Sequence, residues 1–199
     1  MPSGRCGGVR TINPAAERRA DEQLSNTILR VEHLTKVFDA GDRLIGRSRG
    51  GVRAVDDISF TVEEGEIFAI VGESGCGKST TARLILRLIE ATSGKVYFRD
   101  TDLFSLAPEE MRMRRRDMQM IFQDPYSSLN PRHRVSSILT AGMMAQGISR
   151  DKALARAKEL LRIVRLDEAA LERFPHEFSG GQRQRLGFAR AIAVNPELI

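Results

Sequence analysis

Eight residues, Gly72-Glu73-Ser74-Gly75-Cys76-Gly77-Lys78-Ser79, constrain this chain more than any other stretch. They stand between an apolar run, Ile67-Phe68-Ala69-Ile70-Val71, and a segment from Thr80 to Glu90 in which Leu84, Ile85, Leu88 and Ile89 recur at helical spacing. The stretch fits G-x-x-x-x-G-K-[ST], and the order strand, loop, helix is the context that gives the pattern meaning. Glycines let successive backbone N–H groups converge on an anion, and the helix that follows adds the positive end of its dipole. Lys78 is placed to reach β- and γ-phosphates, and the Ser79 hydroxyl to ligate magnesium, a hard cation that takes oxygen ligands. The loop and the adjoining Thr80 therefore predict binding of a nucleoside triphosphate, with ATP the first expectation. Cys76 reads as a filler at a permissive position of the loop rather than as a redox switch.

The remaining composition narrows the surroundings. A length of 199 residues suits one domain, or one domain carrying a modest inserted subdomain. No apolar run is long enough to span a bilayer. Residues 1–27 are rich in Arg, Gly and Ala without the continuous apolar stretch of a secretory signal, and read as a flexible leader. The formal charge of +5 permits contact with nucleic acid or an anionic membrane. Much of the excess sits in Arg112, Arg114, Arg115 and Arg116, which follow Pro108-Glu109-Glu110. Acids first and arginines last is the order that the helix dipole favours, so the run is explained without a nucleic acid. Cys6 and Cys76 have neither paired spacing nor a ligand cluster, which argues against a structural disulfide or zinc site. His33, His133 and His176 likewise lack metal-ligand spacing.

Taken in order, residues 28–38 and 54–62 read as strands, the second with Ile58, Phe60 and Val62 on one face. Residues 39–51 form a polar loop between them, and residues 67–71 a buried strand into the phosphate loop. The following helix is expected to stop at Thr92-Ser93-Gly94, and Val96 and Phe98 to alternate in another strand. Met118 to Phe122 reads as a strand that delivers Gln123 at its end. Two prolines interrupt residues 124–132, where a domain junction is placed. Beyond it Leu154, Ala157, Leu161 and Val164 form a helical stripe after the cap Ser149. A connector over residues 166–178 leads to Ser179-Gly180-Gly181-Gln182 and a helix from Arg183 to Ala193. Glu197-Leu198-Ile199 looks like the start of a strand.

Three motifs in this order, the phosphate loop, Phe122-Gln123-Asp124-Pro125, and Phe178-Ser179-Gly180-Gly181-Gln182-Arg183-Gln184-Arg185, resemble the nucleotide-binding subunits of ABC transporters. The wording of residues 122–132 and 175–185 is similar to that of bacterial dipeptide and oligopeptide import ATPases. The resemblance covers residues 28–199. It implies an α/β P-loop fold with a β-rich N-terminal platform and an inserted α-helical subdomain. Residues 28–123 would form the nucleotide-binding core, 124–180 the mainly helical subdomain, and 181–199 the signature helix and the next strand. Gln123 would position magnesium and the attacking water, and Phe38 would stack on adenine with Val55 lining the same side. Ser179, Gly180, Gly181 and Gln182 would form a second anion site for the γ-phosphate held by an opposite subunit. Two chains, identical or not, would then pair head to tail around two ATP molecules, against membrane permease subunits at the cytoplasmic side of the membrane.

The family continues past the equivalent of Ile199 to an aspartate that supports magnesium, a glutamate that polarises water and a switch histidine. The 199 residues contain none of these, so the fold is expected to be incomplete at its C-terminus and hydrolysis weak, because phosphoryl transfer depends on positioning and charge stabilisation. Two other readings stay open: an ATP-binding module without productive turnover, and a soluble non-transport ABC protein acting on DNA or the ribosome. The short interval between Gln123 and Ser179 leaves no room for the long insertions of the last class, which favours a transporter and no nucleic-acid partner.

Overall fold

The computed structural model describes residues 10–12, 26–38, 51–122 and 129–199. The chain divides into two compact units, Met1–Met111 and Arg112–Ile199.

The first unit is built on an antiparallel sheet of order β3-β2-β5-β6, where β2 is Thr27–Phe38, β3 Val52–Glu63, β5 Ser93–Phe98 and β6 Thr101–Asp102. Alternation dictates its faces. Leu29 stands opposite Phe98 and Val31 opposite Val96, and all four are buried. One residue along, Arg30 faces Tyr97 on the other side, with its guanidinium 3.9 Å from the ring centroid.

The pairing is interrupted where His33 and Asp57 both take φ 49°. There the His33 N–H donates to Ser59 Oγ at 2.9 Å and the Asp57 N–H to Thr35 Oγ1 at 3.0 Å, so side chains satisfy what the ladder loses. Gly94 fits the same irregularity. Its φ is 97°, and a Cβ there would lie 2.5 Å from the His33 carbonyl oxygen and 2.6 Å from Leu34 Cα. Gly94 thus serves a close approach between strands and not the helix stop expected of it.

The helix itself, α1, is Lys78–Ile85 and ends earlier than expected. Arg87 adopts φ 47°, its N–H donates to the Leu84 carbonyl, and the Leu88 N–H reaches back to Arg83. This is a Schellman closure with arginine in the position glycine usually takes. The arginine is held there by its own side chain, which donates to the carbonyls of Leu106 at 2.7 Å and Leu103 at 3.2 Å.

The apolar run before the loop also differs from expectation. Only Ala69–Val71 is a strand, β4, and it pairs antiparallel with β1, Arg10–Ile12. Ile67 is 97% exposed and Val71 44%, so this is not a buried strand. Among the described residues β4 has a partner on one edge only and belongs to a two-stranded sheet, which gives its apolar side chains no covering layer. Of the expected leader, residues 1–9 and 13–25 lie outside the described residues, as do residues 39–50 of the expected loop.

Helix α2, Pro108–Arg114, carries the acid-to-arginine order read from the sequence. The second unit is helical: α3 Val135–Ala145, α4 Arg150–Ile163 and α5 Gly180–Ile192, with two 3-10 turns, Glu168–Glu172 and Pro175–Glu177, between the last two. Its core gathers Leu139, Met143, Ala157, Leu160, Leu161, Val164, Phe178, Leu186 and Ala189, all buried. The expected stripe on α4 is rotated slightly, with Ala153 and Leu160 buried and Leu154 half-buried. Ser149 occupies the N-cap of α4 without a side-chain capping bond. The strand expected at Met118–Phe122 is reduced to one parallel bridge, Met118 to Leu198, supported by Gln119 N–H donating to the Leu198 carbonyl at 2.8 Å.

Candidate functional site

The phosphate loop is shaped by two glycines for different reasons. Gly75 takes φ 82° and Gly77 φ 102°, both in the region that L side chains avoid. A Cβ on Gly75 would meet open space, whereas one on Gly77 would fall 2.1 Å from the Ala54 carbonyl oxygen of β3. Gly77 is the N-cap of α1, and its carbonyl accepts from the Thr81 N–H at 2.8 Å and from Thr81 Oγ1 at 3.1 Å. A Cβ on Gly72 would lie 2.5 Å from Cys76 Sγ, so a larger residue there would require the Cys76 side chain to rotate away.

Lys78 Nζ closes the loop. It donates to the carbonyls of Gly72 at 2.7 Å and Glu73 at 2.6 Å and lies 3.5 Å from Cys76 Sγ. An ammonium fixed at the mouth of a helix N-terminus, with no acidic residue in the first turn of that helix, is an arrangement for holding an anion. Ser74 and Ser79 are exposed, Thr80 is half-buried, and the Ser79 side chain makes no hydrogen bond among the described residues. The Ser79 hydroxyl therefore fits a magnesium ion brought in with phosphates. No group of three or more His, Cys, Asp or Glu among the described residues could hold a metal without such help.

Phe38 ends β2 opposite Val52 and is 42% exposed. Val55 is buried on β3, and its Cγ2 stands 3.6 Å from where a Gly77 Cβ would be. It supports the loop from beneath, while Phe38 presents an open aromatic surface in the same unit. Lys36 was not singled out by the sequence reading, although period-two alternation puts it on the same face as Phe38. Its Nζ lies 5.0 Å from the Phe38 ring centroid and donates to the Glu90 carbonyl at 2.7 Å. Gln123 falls outside the described residues.

In the second unit, Ser179 caps α5, which starts at Gly180 rather than at Arg183. The Gln182 N–H donates to Ser179 Oγ at 3.3 Å, and the Ser179 N–H donates to Gln182 Oε1 at 2.9 Å, a reciprocal capping box. The Gln182 side chain is thereby turned back onto the helix start. A Cβ on Gly180 or Gly181 would meet nothing within 4 Å, so no packing among the described residues requires glycine there. What the two glycines provide is an unobstructed approach to backbone N–H groups at a helix N-terminus.

The lead-in to this cap is fixed. Phe178 is buried in the helical core with the Arg173 guanidinium 4.3 Å from its ring centroid, and Glu177 Oε2 accepts from the Phe174 N–H at 2.5 Å. That bond, aided by Arg173, holds the Glu177 carboxyl below its ordinary value. Arg185, one turn into α5, donates to the carbonyls of Val164 and Arg165 at the end of α4.

The family model described as ABC transporter matches residues 55–199. The oligopeptide transport ATP-binding protein OppF of Bacillus subtilis is 46% identical over 88% of this chain and 56% of its own length. The dipeptide transport ATP-binding protein DppF of Lactococcus lactis is 44% identical over 86% of the chain and 54% of its own length. The chain spans about half the length of the curated relatives it matches. Among solved structures, the dimeric post-hydrolysis state of the ATP-binding cassette MJ0796, bound to ADP and Pi, is similar with TM-score 0.73 and 28% identity, covering 84% of this chain and 70% of that one.

Proposed function

The chain belongs to the ABC transporter family, and from that premise we propose that it is the ATP-binding subunit of an importer for di- or oligopeptides. The observation that carries the nucleotide part is the loop closed by Lys78 over the Gly72 and Glu73 carbonyls and seated on β3 through Gly77. The peptide class is supported by the relatives, two of which are named for oligopeptide and dipeptide transport.

In this reading, the N–H groups of residues 75–79 and the Lys78 ammonium bind the phosphates. Phe38 offers its face to the base, and Val55 keeps the loop seated. Ser79 and Gln123 would hold magnesium, which when bound neutralises phosphate charge. Ser179 Oγ, its lone pair engaged by the Gln182 N–H, keeps its hydrogen free to donate, and Gly180 and Gly181 expose N–H groups beside it. These donors would serve the γ-phosphate bound on an opposite subunit, which makes a head-to-tail pair of cassettes the working unit. A solved ATP-binding cassette of the same fold is dimeric, which supports the pairing of two cassettes. No helix among the described residues is long and apolar enough to cross a membrane. Membership of the family is what assigns solute passage to separate permease subunits in this reading, with this chain on their cytoplasmic side.

Co-reconstitution of the chain with the permease subunits in liposomes tests the proposal. Uptake of labelled di- to pentapeptides, slow because only weak hydrolysis is expected of these 199 residues, should require ATP and vanish with Lys78→Ala. ATP-driven uptake of another solute class, with no peptide taken up, would overturn the peptide assignment.

A further inference from the structure

We propose that Lys36 is a positioning residue for nucleotide binding: it fixes the Phe38 ring as a base platform by lying against one face and leaving the other open. The inference rests on the reading of Phe38 as the base-contacting aromatic and extends it to a residue with no assigned role. Lys36 and Phe38 are two apart on β2, and alternation puts their side chains on one face of the sheet. The ammonium is 5.0 Å from the ring centroid, within the range of a cation–π contact.

The ammonium is also anchored. It donates at 2.7 Å to the carbonyl of Glu90, in the segment that leaves α1. Two further bonds tie that segment to the same end of β2: Val37 N–H to Thr92 Oγ1 at 2.9 Å, and Thr92 N–H to the Thr35 carbonyl at 2.9 Å. Lys36 itself pairs with Val55, the residue that packs beneath Gly77. Ring, ammonium and phosphate loop are therefore linked through one sheet and one helix. An aromatic that is 42% exposed at a strand end would otherwise sample several rotamers, and ordering it would count against binding. A fixed cation on one face removes that cost and leaves the other face for stacking.

The test compares ATP with tripolyphosphate, which has the phosphates and no base, on the full chain. With Lys36→Met, which keeps most of the stem and removes the charge, ATP affinity should fall about two- to fivefold. Tripolyphosphate affinity should not change, and Lys36→Arg should restore ATP binding. With Phe38→Ala the loss for ATP should be at least about fivefold, again sparing tripolyphosphate. Wild-type or tighter ATP binding by Lys36→Met, or equal losses for both ligands, would overturn the role of Lys36 alone. If Phe38→Ala binds ATP normally, the base platform itself is wrong.

Discussion

Substituting alanine separately at Gly75 and Gly77 separates two reasons for a glycine in one loop. Both residues have positive φ, 82° and 102°. An L residue held in that region costs about 1–2 kcal/mol, and Gly75→Ala should incur that alone because its Cβ meets open space. At position 77 the new Cβ would lie 2.1 Å from the Ala54 carbonyl oxygen, so the loop must retreat from β3 by about 1 Å or β3 must yield. Overpacking of that kind adds about 1–3 kcal/mol, for a total of about 2–5 kcal/mol. The retreat also moves the N–H groups of the helix start away from the phosphates, and each charge-assisted hydrogen bond lost costs about 1.5–3 kcal/mol, roughly tenfold or more in affinity. Chemical denaturation gives the stability difference, and displacement of a fluorescent ATP analogue gives the affinity. Gly77→Ala should lose at least about tenfold more ATP affinity than Gly75→Ala. Equal losses would refute the claim that β3 sets the position of the loop.

Three further outcomes follow from the same geometry. Ser179→Ala removes the cap of α5 and should destabilise the helical unit by about 1 kcal/mol in denaturant titrations, whereas Gln182→Glu, which keeps the capping box, should not. A maleimide adduct on Cys76, 3.5 Å from Lys78 Nζ, should block nucleotide binding, and bound ATP should slow its formation when followed by mass spectrometry. The Glu168 carboxyl is held below its ordinary value of 4.5, first by its hydrogen bond with Arg162. A depressed carboxylate contributes stability above 4.5 that is lost as pH falls through the lower folded value. Melting temperatures of Arg162→Met should therefore fall less steeply than wild type across that acidic window; parallel curves would contradict the pairing.

The sequence made some elements easy to read because a single local rule governs them. Alternation placed β3 and β5, β-branched content and the adjoining turn placed β2, and glycine chemistry placed the phosphate loop. Other elements depended on partners that no local pattern reveals. The end of α1 was missed because Arg87 supplies the left-handed turn, held by side-chain bonds to Leu103 and Leu106 that no local pattern reveals. Gly94 was misread because a glycine after a helical stripe usually ends the helix, and here its need arises from β2 lying against it. The run 67–71 was expected to be buried from its apolarity alone, but burial requires a covering layer as well as apolar side chains. At the site, the reciprocal bonds of Ser179 and Gln182 follow the capping-box spacing, so the start of α5 at Gly180 could have been read from sequence. The contact of Ala54 with Gly77 could not, since it joins two elements distant along the chain.

Titration of the purified chain with ATP, compared with its Lys78→Ala variant, tests whether the loop closed by Lys78 holds the nucleotide. Saturable binding of one ATP per chain is expected, with a loss of at least about tenfold in affinity when the ammonium is removed. Unchanged affinity in a folded Lys78→Ala variant, or no binding by the folded wild-type chain, would contradict it.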